Sequence, residues 1–246
     1  MPDHRIGGPQ LAQSLPTSTG LATLMKMTNP VIVVVGAGPG IGAAVARRFG
    51  QGGYDAALIA RSGDTLEQLG RQLQAEGVTT VWTPADVSDD AALATAVEWL
   101  GQRSGSIQHL HFNPSAFTAK DAVALSADEL LSDIRVGVAS LLTAVRAARP
   151  FMGAGSRVTA TGGATADRPW PSAASLGVQK AALRNLVMSL DATLAADGIR
   201  AMSLTVAGTV REGTAFSPAL IADAVYRASQ TDVEFWSNEI RYTGHE

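Results

Sequence analysis

The sequence predicts a doubly wound α/β domain built on a parallel sheet, and three observations support this prediction. Apolar segments of strand length alternate with segments whose apolar residues recur at helical spacing, from residue 31 almost to the end of the chain. The first apolar segment, residues 31–35, is an unbroken β-branched run, which is typical of a strand that helices cover on both faces. A cluster of glycines follows this strand directly and precedes a helix. Together these features favour a parallel sheet between two layers of helices.

The predicted strands are short apolar runs that turn residues separate from one another. Each run is rich in Val, Ile, Leu or Ala, and the intervals between runs are long enough for a crossover helix. The predicted strands cover residues 31–35, 56–60, 78–84, 107–112, 157–161 and 200–206, with a last strand near 233–240.

The predicted helices are identified by their apolar spacing and by their capping residues. Leu66, Leu69 and Leu73 mark the helix over residues 64–75. Ser88, followed by two aspartates, is the expected N-cap of the next helix. Ser126 and Glu129 form a capping box for a long helix over residues 126–149. Further helices are expected from the glycines to residue 49, over 175–195 and near 218–228.

The composition is that of one globular domain with a substantial core. The chain has 246 residues, of which 46% are hydrophobic and 17% charged. No linker, repeat or low-complexity block divides it. Residues 1–28, with short apolar pieces broken by prolines, are predicted to be an N-terminal arm, and residues 29–246 the domain. The arm does not resemble a signal peptide, so we expect a cytoplasmic protein.

Charge and residue usage exclude several classes of function. The net charge of −3 gives no electrostatic basis for binding nucleic acid or an anionic membrane surface. The absence of cysteine excludes disulfides, thiolate chemistry and zinc sites with Cys ligands. Among the four histidines, His109 and His111 share one strand face without a neighbouring carboxylate, so no metal site is predicted. The expected ligands are therefore small molecules.

The glycine turn after the first strand predicts a dinucleotide site. Gly36, Gly40 and Gly42 allow a tight turn, a close approach of the backbone to a pyrophosphate, and close packing of the following helix. Ile41 and Gly42 then open a helix whose N-terminus presents free N–H groups and a positive dipole end to phosphates. We assign these four residues to cofactor binding.

The end of the second strand indicates which dinucleotide is bound. In dinucleotide-binding folds this position meets the adenosine ribose, and a carboxylate there favours NAD. The chain instead has Arg61 and Ser62, and no carboxylate. A guanidinium and a hydroxyl can hold a 2′-phosphate, so NADP(H) is the predicted cofactor.

Four landmarks in order resemble the short-chain dehydrogenase/reductase family. They are the spacing Gly36-x-x-x-Gly40-x-Gly42, the pair Asp86-Val87 after the third strand, Lys180-Ala181-Ala182-Leu183, and Ile199-Arg200 followed by Gly208-Thr209-Val210. The resemblance implies a Rossmann-type fold, and an adenine contact at Asp86 and Val87. It also implies that Asn113 lies on the floor of the coenzyme site, within Asn113-Pro114-Ser115-Ala116, and that Lys180 holds the nicotinamide ribose.

The resemblance breaks at the catalytic positions. The family uses a tyrosine four residues before the lysine, a serine after the fifth strand and an asparagine in the fourth long helix. Here these positions are occupied by Leu176, Gly163 and Arg135. A leucine cannot donate a proton, so the family's usual acid–base route cannot run through this position.

Arg135 is the second candidate catalytic residue beside Lys180. At helical spacing it shares a face with Leu131, Val138 and Leu142, so we expect its guanidinium to point inward. A buried guanidinium needs a partner. That partner is either a carboxylate or helix carbonyls, or else an anionic or carbonyl group of a substrate.

Three functions remain open from the sequence. The first is an NADP-dependent oxidoreductase acting on a small carbonyl or alcohol compound, with an unusual proton donor. Candidate donors are water, Lys180 and the hydroxyls of Thr161, Thr165, Ser172 and Ser175, with Arg135 as a group that polarises the carbonyl. The second is a cofactor-binding protein without turnover, and the third a non-redox enzyme that reuses the cleft. In all three cases a homodimer or homotetramer is expected, through the helices over residues 126–149 and 175–195.

Overall fold

Seven parallel strands form the centre of the molecule in the computed structural model, which describes residues 26–244. The strands lie in the order β3-β2-β1-β4-β5-β6-β7. They are β1 Val31–Val35, β2 Asp55–Ala60, β3 Thr80–Pro84, β4 His109–Phe112, β5 Arg157–Gly163, β6 Arg200–Val206 and β7 Glu239–Tyr242. The doubly wound α/β fold predicted from the sequence is confirmed.

Helices cover both faces of the sheet. They are α1 Ile41–Gln51, α2 Gly63–Ala75, α3 Asp90–Ser104, α4 Ala127–Ile134, α5 Ser140–Ala148, α6 Ala174–Leu194 and α7 Pro218–Ser229. Alternate residues of β1 contribute to separate cores, Val33 to the core beneath α3, α5 and α6, and Val34 to the core beneath α1, α2 and α7. This two-sided burial explains why the strand is apolar at every position.

The strand order reverses between β1 and β4, which opens a crevice at the carboxyl edge of the sheet. The chain leaves β1 toward β2 on one side, whereas β4 pairs with the other side of β1. The turns that follow these two strands meet at that edge, where the Asn113 side-chain amide donates to the Gly36 carbonyl oxygen at 3.1 Å. In open α/β sheets such a point of reversal is where ligands bind.

Three local expectations need correction. Asp89, not Ser88, caps α3, because its carboxylate accepts from the N–H groups of Ala91 and Ala92 at 3.0 Å while the Ser88 hydroxyl donates to Asp86. The long helix after Ser126 is interrupted by a π-helical segment over Arg135–Ala139. The last strand is Glu239–Tyr242 and is preceded by a short 3₁₀ turn, so its predicted start was too early.

The domain boundary predicted at residue 29 can be compared with the first described residues. Met27 is buried in the core beneath α3, α5 and α6. The backbone N–H groups of Thr28 and Asn29 donate to the buried carboxylate of Asp55 at 2.8 and 3.1 Å. Contacts with the domain therefore begin by Met27, and the rest of the predicted arm, residues 1–25, lies outside the described residues. In the described part of the chain, no helix is both long and apolar enough to cross a membrane.

Candidate functional site

The glycine turn after β1 is shaped by close backbone approaches. Gly36 has a φ of +83°, and a Cβ there would lie 2.9 Å from the backbone nitrogen of Pro114. A Cβ on Gly42 would collide with the Gly36 carbonyl oxygen, whereas Gly40 faces open space. Helix α1 then begins without a side-chain cap and without an acidic residue in its first turn. The N–H groups and the positive dipole end of this N-terminus are therefore open to an anion.

Arg61 follows β2 and Asp86 follows β3, two strands that pair side by side in the sheet. Hydrogen bonds from the Ser88 N–H and hydroxyl lower the pKa of the Asp86 carboxyl, and the charge of Arg61 lowers that pKa further. Arg61 is exposed and makes no salt bridge within residues 26–244. Ser62 caps α2 by accepting from the Thr65 N–H and hydroxyl, which leaves its own proton free to donate. The Val87 side chain is buried in the core, unlike those of Arg61 and Asp86, which are exposed.

Lys180 extends from α6 to the carboxyl end of β5. Its Nζ donates to the Thr161 carbonyl oxygen at 2.9 Å, and burial lowers its pKa from 10.5 to about 8. An ammonium group has three donors. Among the described residues, the Thr161 carbonyl is the one acceptor it contacts. The remaining N–H groups of Lys180 are therefore available to a bound molecule.

A line of hydrogen bonds runs below the site, from the middle of the sheet to the glycine turn. Burial lowers the pKa of His109 and of His111, the latter to about 3, so both rings are neutral near pH 7. Thr159 Oγ1 lies 2.8 Å from His109 Nε2 and 2.8 Å from His111 Nδ1. His111 Nε2 in turn lies 3.3 Å from Thr161 Oγ1, which donates to Asn113 Oδ1 at 2.8 Å.

These hydrogen bonds determine which group donates and which accepts at each step, from His109 to Asn113. Because the Thr161 proton goes to Asn113, His111 Nε2 must donate to Thr161, and the neutral His111 ring then accepts from Thr159. His109 Nε2 donates to Thr159 in the same sense. The Asn113 amide is thereby oriented to donate to Gly36. The line thus links β4 and β5 to the glycine turn.

A cleft of about 620 Å³ opens beside these residues at the carboxyl edge of the sheet. Leu176 lies one helical turn before Lys180, and both side chains line the cleft. Gly163 also lines it, and a Cβ there would lie 3.5 Å from Lys180 Cγ, an ordinary contact distance. The other lining residues are Ile41, Asn113, Ser115, Phe117, Thr161, Gly162, Ala164, Thr165, Arg168, Trp170, Val206, Ala207, Gly208, Thr209 and Val210.

Arg135 does not belong to this site, so its assignment as a catalytic residue is wrong. Its side chain is 55% exposed and pairs with Asp90 on α3 at 3.4 Å. The π-helical segment that begins at Arg135 inserts an extra residue into the turn, so Arg135 does not share the buried face of Val138. Leu131, expected on the same inward stripe, is exposed as well.

Gln179 is a buried residue that the sequence reasoning missed. Its amide nitrogen donates to the Ala116 and Asp133 carbonyl oxygens at 2.7 Å, and its oxygen accepts from the Ser115 hydroxyl at 2.9 Å. A Cβ on Gly137 would collide with this amide, which explains a glycine in mid-helix. A polar residue beside Lys180 on a helix that packs on the sheet was the available signal.

Only some of the hydroxyl groups considered as proton donors to a substrate lie at the cleft. Thr161 and Thr165 line the cleft, whereas Ser172 and Ser175 do not. Ser175 is buried, and its Oγ accepts from the Thr118 N–H at 3.2 Å. Thr161 already donates its proton to Asn113.

The model of the short chain dehydrogenase family matches residues 30–218, which include the glycine turn, the Arg61 and Asp86 positions and Lys180. The chain belongs to the short-chain dehydrogenase family. Among its relatives is 3-dehydrosphinganine reductase TSC10A of Arabidopsis thaliana, 34% identical over 120 residues. That match covers 48% of this chain and 36% of the plant reductase. The chain therefore spans only about a third of that relative's length.

Solved structures of other short-chain dehydrogenases share the fold. One from Burkholderia cenocepacia in complex with NADP is 23% identical, with a TM-score of 0.79 over 89% of this chain and 96% of its own. An NADPH-bound short chain oxidoreductase from Pseudomonas aeruginosa, described as containing an atypical catalytic center, is 20% identical. Its TM-score is 0.80 over 87% of this chain and 95% of its own.

Proposed function

We propose that this short-chain dehydrogenase binds NADP(H) in the crevice between the ends of β1 and β4. The uncapped start of α1 and the space at Gly40 would hold the pyrophosphate. Lys180 would hold the nicotinamide ribose with the N–H groups that Thr161 leaves free. The NADP and NADPH complexes of the Burkholderia and Pseudomonas proteins support this assignment.

Arg61 is the residue proposed to select NADP(H) over NAD(H). It is exposed beyond β2 and is not neutralised by a salt bridge within the described residues. Its guanidinium can bind a phosphate through two N–H groups, and Ser62 adds a hydroxyl donor. Asp86, which contacts its neighbour Ser88 through Oδ1, is left for the adenosine side of the site.

The reaction we propose is oxidoreduction of a small carbonyl or alcohol compound at an atypical active centre. When bound, the nicotinamide supplies or accepts the hydride at the reacting carbon. Leu176 and Gly163 provide neither a proton nor a hydroxyl where relatives have tyrosine and serine. Lys180 carries a proton at the floor of the cleft, and its pKa of about 8 suits transfer to an oxygen near neutral pH. The observation that carries the proposal is this buried lysine, held by a backbone carbonyl and facing the cleft.

A second candidate function is cofactor binding without dehydrogenase turnover, as a sensor, a subunit or a non-redox enzyme. The apolar side chain of Leu176, one turn from Lys180, favours it, because the usual proton donor is absent. Loss of a general acid commonly costs about 10²–10⁴-fold in rate. The two candidates therefore agree on the cofactor and differ on the chemistry.

Titration of the protein with NADPH, followed by assays with ketones and aldehydes, tests the proposal. We expect saturable NADPH binding, and slow carbonyl reduction that weakens as pH rises past about 8, where Lys180 loses its proton. Binding without turnover would favour the second candidate. Absence of NADPH binding would contradict both.

A further inference from the structure

Three side chains form the outer rim of the cleft, away from Lys180. Phe117 follows β4, and Arg168 and Trp170 lie in the segment between β5 and α6. The Phe117 and Trp170 rings lie 6.0 Å apart at 48°, with 47% and 49% of these residues exposed. Exposed large aromatic residues that line a concave site are typical of ligand contact.

The charge of Arg168 is not neutralised by its neighbours. The adjacent carboxylate, Asp167, accepts from Arg184 Nη1 at 2.8 Å and from Arg241 Nη1 at 2.7 Å, so both of its oxygens are engaged. Within residues 26–244 the Arg168 side chain forms no salt bridge. The backbone N–H of Arg168 donates to the Ala164 carbonyl oxygen at 2.9 Å, and this hydrogen bond holds the Arg168 backbone at the rim.

The described lining of the cleft contains two cations and no carboxylate. Lys180 lies at the floor and Arg168 at the rim, and the surfaces between them come from small and apolar residues such as Leu176 and Val210. In the proposed function, Lys180 contacts the cofactor and the reacting oxygen. Arg168 is then the positive charge left for the rest of the substrate, at the exposed rim of the cleft.

We propose that the substrate carries a carboxylate at one end of an apolar body. Arg168 binds the carboxylate through two N–H groups, and Phe117 and Trp170 cover the apolar part. The reacting oxygen then lies at the other end, toward Lys180. This inference rests on the proposed function only in taking the cleft as the substrate site, since the charge and the aromatic rim are independent of the reaction.

The test compares acids with their neutral amides. Phenylpropanoate, phenylbutanoate and phenylpentanoate, each beside its primary amide, are titrated calorimetrically into the protein with and without saturating NADP⁺. We expect at least one acid to bind about tenfold more tightly than its amide, because a charge-assisted pair at a partly exposed site has this order of strength. Arg168→Gln should abolish that preference, and Arg168→Lys should keep part of it.

Two controls make the comparison specific. Arg71→Gln removes an exposed arginine of α2 that pairs with Glu67 and does not line the cleft, and it should leave the acid preference unchanged. Trp170→Ala should weaken binding of acid and amide by the same factor, since the ring contacts the apolar body. All four variants alter exposed side chains, and thermal unfolding checks that they fold.

The outcomes separate this inference from the proposed function. An acid preference that disappears in Arg168→Gln supports the inference, whether or not NADP⁺ binds. Equal affinities for acid and amide, or no binding of any probe, overturn it even when NADP⁺ binds normally. Failure of NADP⁺ to bind overturns the cofactor assignment alone.

Discussion

Lys180 Nζ donates to the carbonyl oxygen of Thr161 at 2.9 Å, so the cation at the floor of the cleft is held by backbone and not by a carboxylate. Burial is therefore uncompensated by an opposite charge, and it lowers the pKa of this lysine from 10.5 to about 8. A protonated lysine buried in this way costs folding stability. The same arrangement keeps the ammonium group ready to interact with a ligand.

The first prediction concerns the pH dependence of stability. Below about pH 8 Lys180 is protonated in both the folded and unfolded states, and between about 8 and 10.5 only the unfolded state retains the proton. Because the unfolded state then binds more protons, the contribution of Lys180 makes the free energy of unfolding rise with pH in this window, by on the order of 3 kcal/mol. Lys180→Met should remove that rise in urea unfolding measured from pH 7 to 10.5.

Lys26→Met is the matched control for this prediction, because Lys26 is exposed. It should leave the pH dependence of unfolding as it is in the unmodified protein. If the free energy of unfolding has the same pH dependence above pH 8 in Lys180→Met and in the unmodified protein, burial of the protonated Lys180 does not destabilise the fold as predicted.

Arg61→Ala should reduce the preference for NADPH over NADH by about tenfold or more. The expected loss is one charge-assisted contact with the 2′-phosphate, roughly 1.5–3 kcal/mol at a partly exposed site. Dissociation constants for both cofactors, obtained from nicotinamide fluorescence, check this. Arg71→Ala, on the exposed face of α2, serves as the control. Equal affinities for the two cofactors in the unmodified protein would contradict the assignment.

Sequence patterns predicted the features that depend on local structure. Val31–Val35 and the glycines after it form a strand and turn because β-branching and the absence of Cβ act within a few residues. Arg135 was misplaced because two apolar residues of its predicted stripe, Leu131 and Leu142, are exposed themselves, so apolar spacing does not mark the buried face of this helix. Gln179 and Arg168 were missed because their roles come from tertiary neighbours, Asp133 in one case and the doubly paired Asp167 in the other.

Thr161→Val should destabilise the domain and weaken cofactor binding together. The substitution keeps the side-chain volume but leaves Asn113 Oδ1 without its donor and His111 Nε2 without its acceptor, at a cost of about 1–3 kcal/mol. The Asn113 amide, no longer oriented from β5, should then hold Gly36 less firmly. Urea unfolding and NADPH titration measure the two effects.

Thr193→Val is the control for Thr161→Val. The Thr193 hydroxyl donates to the Ser189 carbonyl oxygen at an exposed position of α6, so the substitution removes a hydroxyl outside the line of hydrogen bonds. It should change both quantities little. Equal unfolding midpoints for the two valine variants would show that the line of hydrogen bonds does not stabilise the fold.

A homodimer or homotetramer remains our prediction for the assembled protein. Leu131 on α4, Leu142 on α5 and Val178 on α6 expose apolar side chains on helices expected to form a two-fold contact. Light scattering at micromolar concentration should give at least twice the mass of one chain, and Leu131→Glu should shift it toward the monomer. A monomeric unmodified protein would contradict the prediction.

The last prediction is that Leu176→Tyr combined with Gly163→Ser raises the rate of carbonyl reduction. Tyrosine would present a phenol one turn from Lys180, whose positive charge lowers a phenol pKa. The serine fits, because a Cβ at Gly163 finds Lys180 Cγ at 3.5 Å. Arg135 is left unchanged, since it lies on the surface beside Asp90. The expected gain in kcat is about 10²–10⁴-fold, the usual contribution of a positioned general acid.

The matched control is Leu176→Phe with Gly163→Ser, which adds the same ring without the hydroxyl. Initial rates of NADPH oxidation with one ketone panel compare the two double variants, and NADPH titration checks that both keep the cofactor. A rate gain confined to the tyrosine variant identifies the missing proton donor as the limit on turnover. Equal rates in the two variants would show that proton donation at position 176 does not limit the reaction. Lys180 would then remain the proposed proton donor to the substrate oxygen.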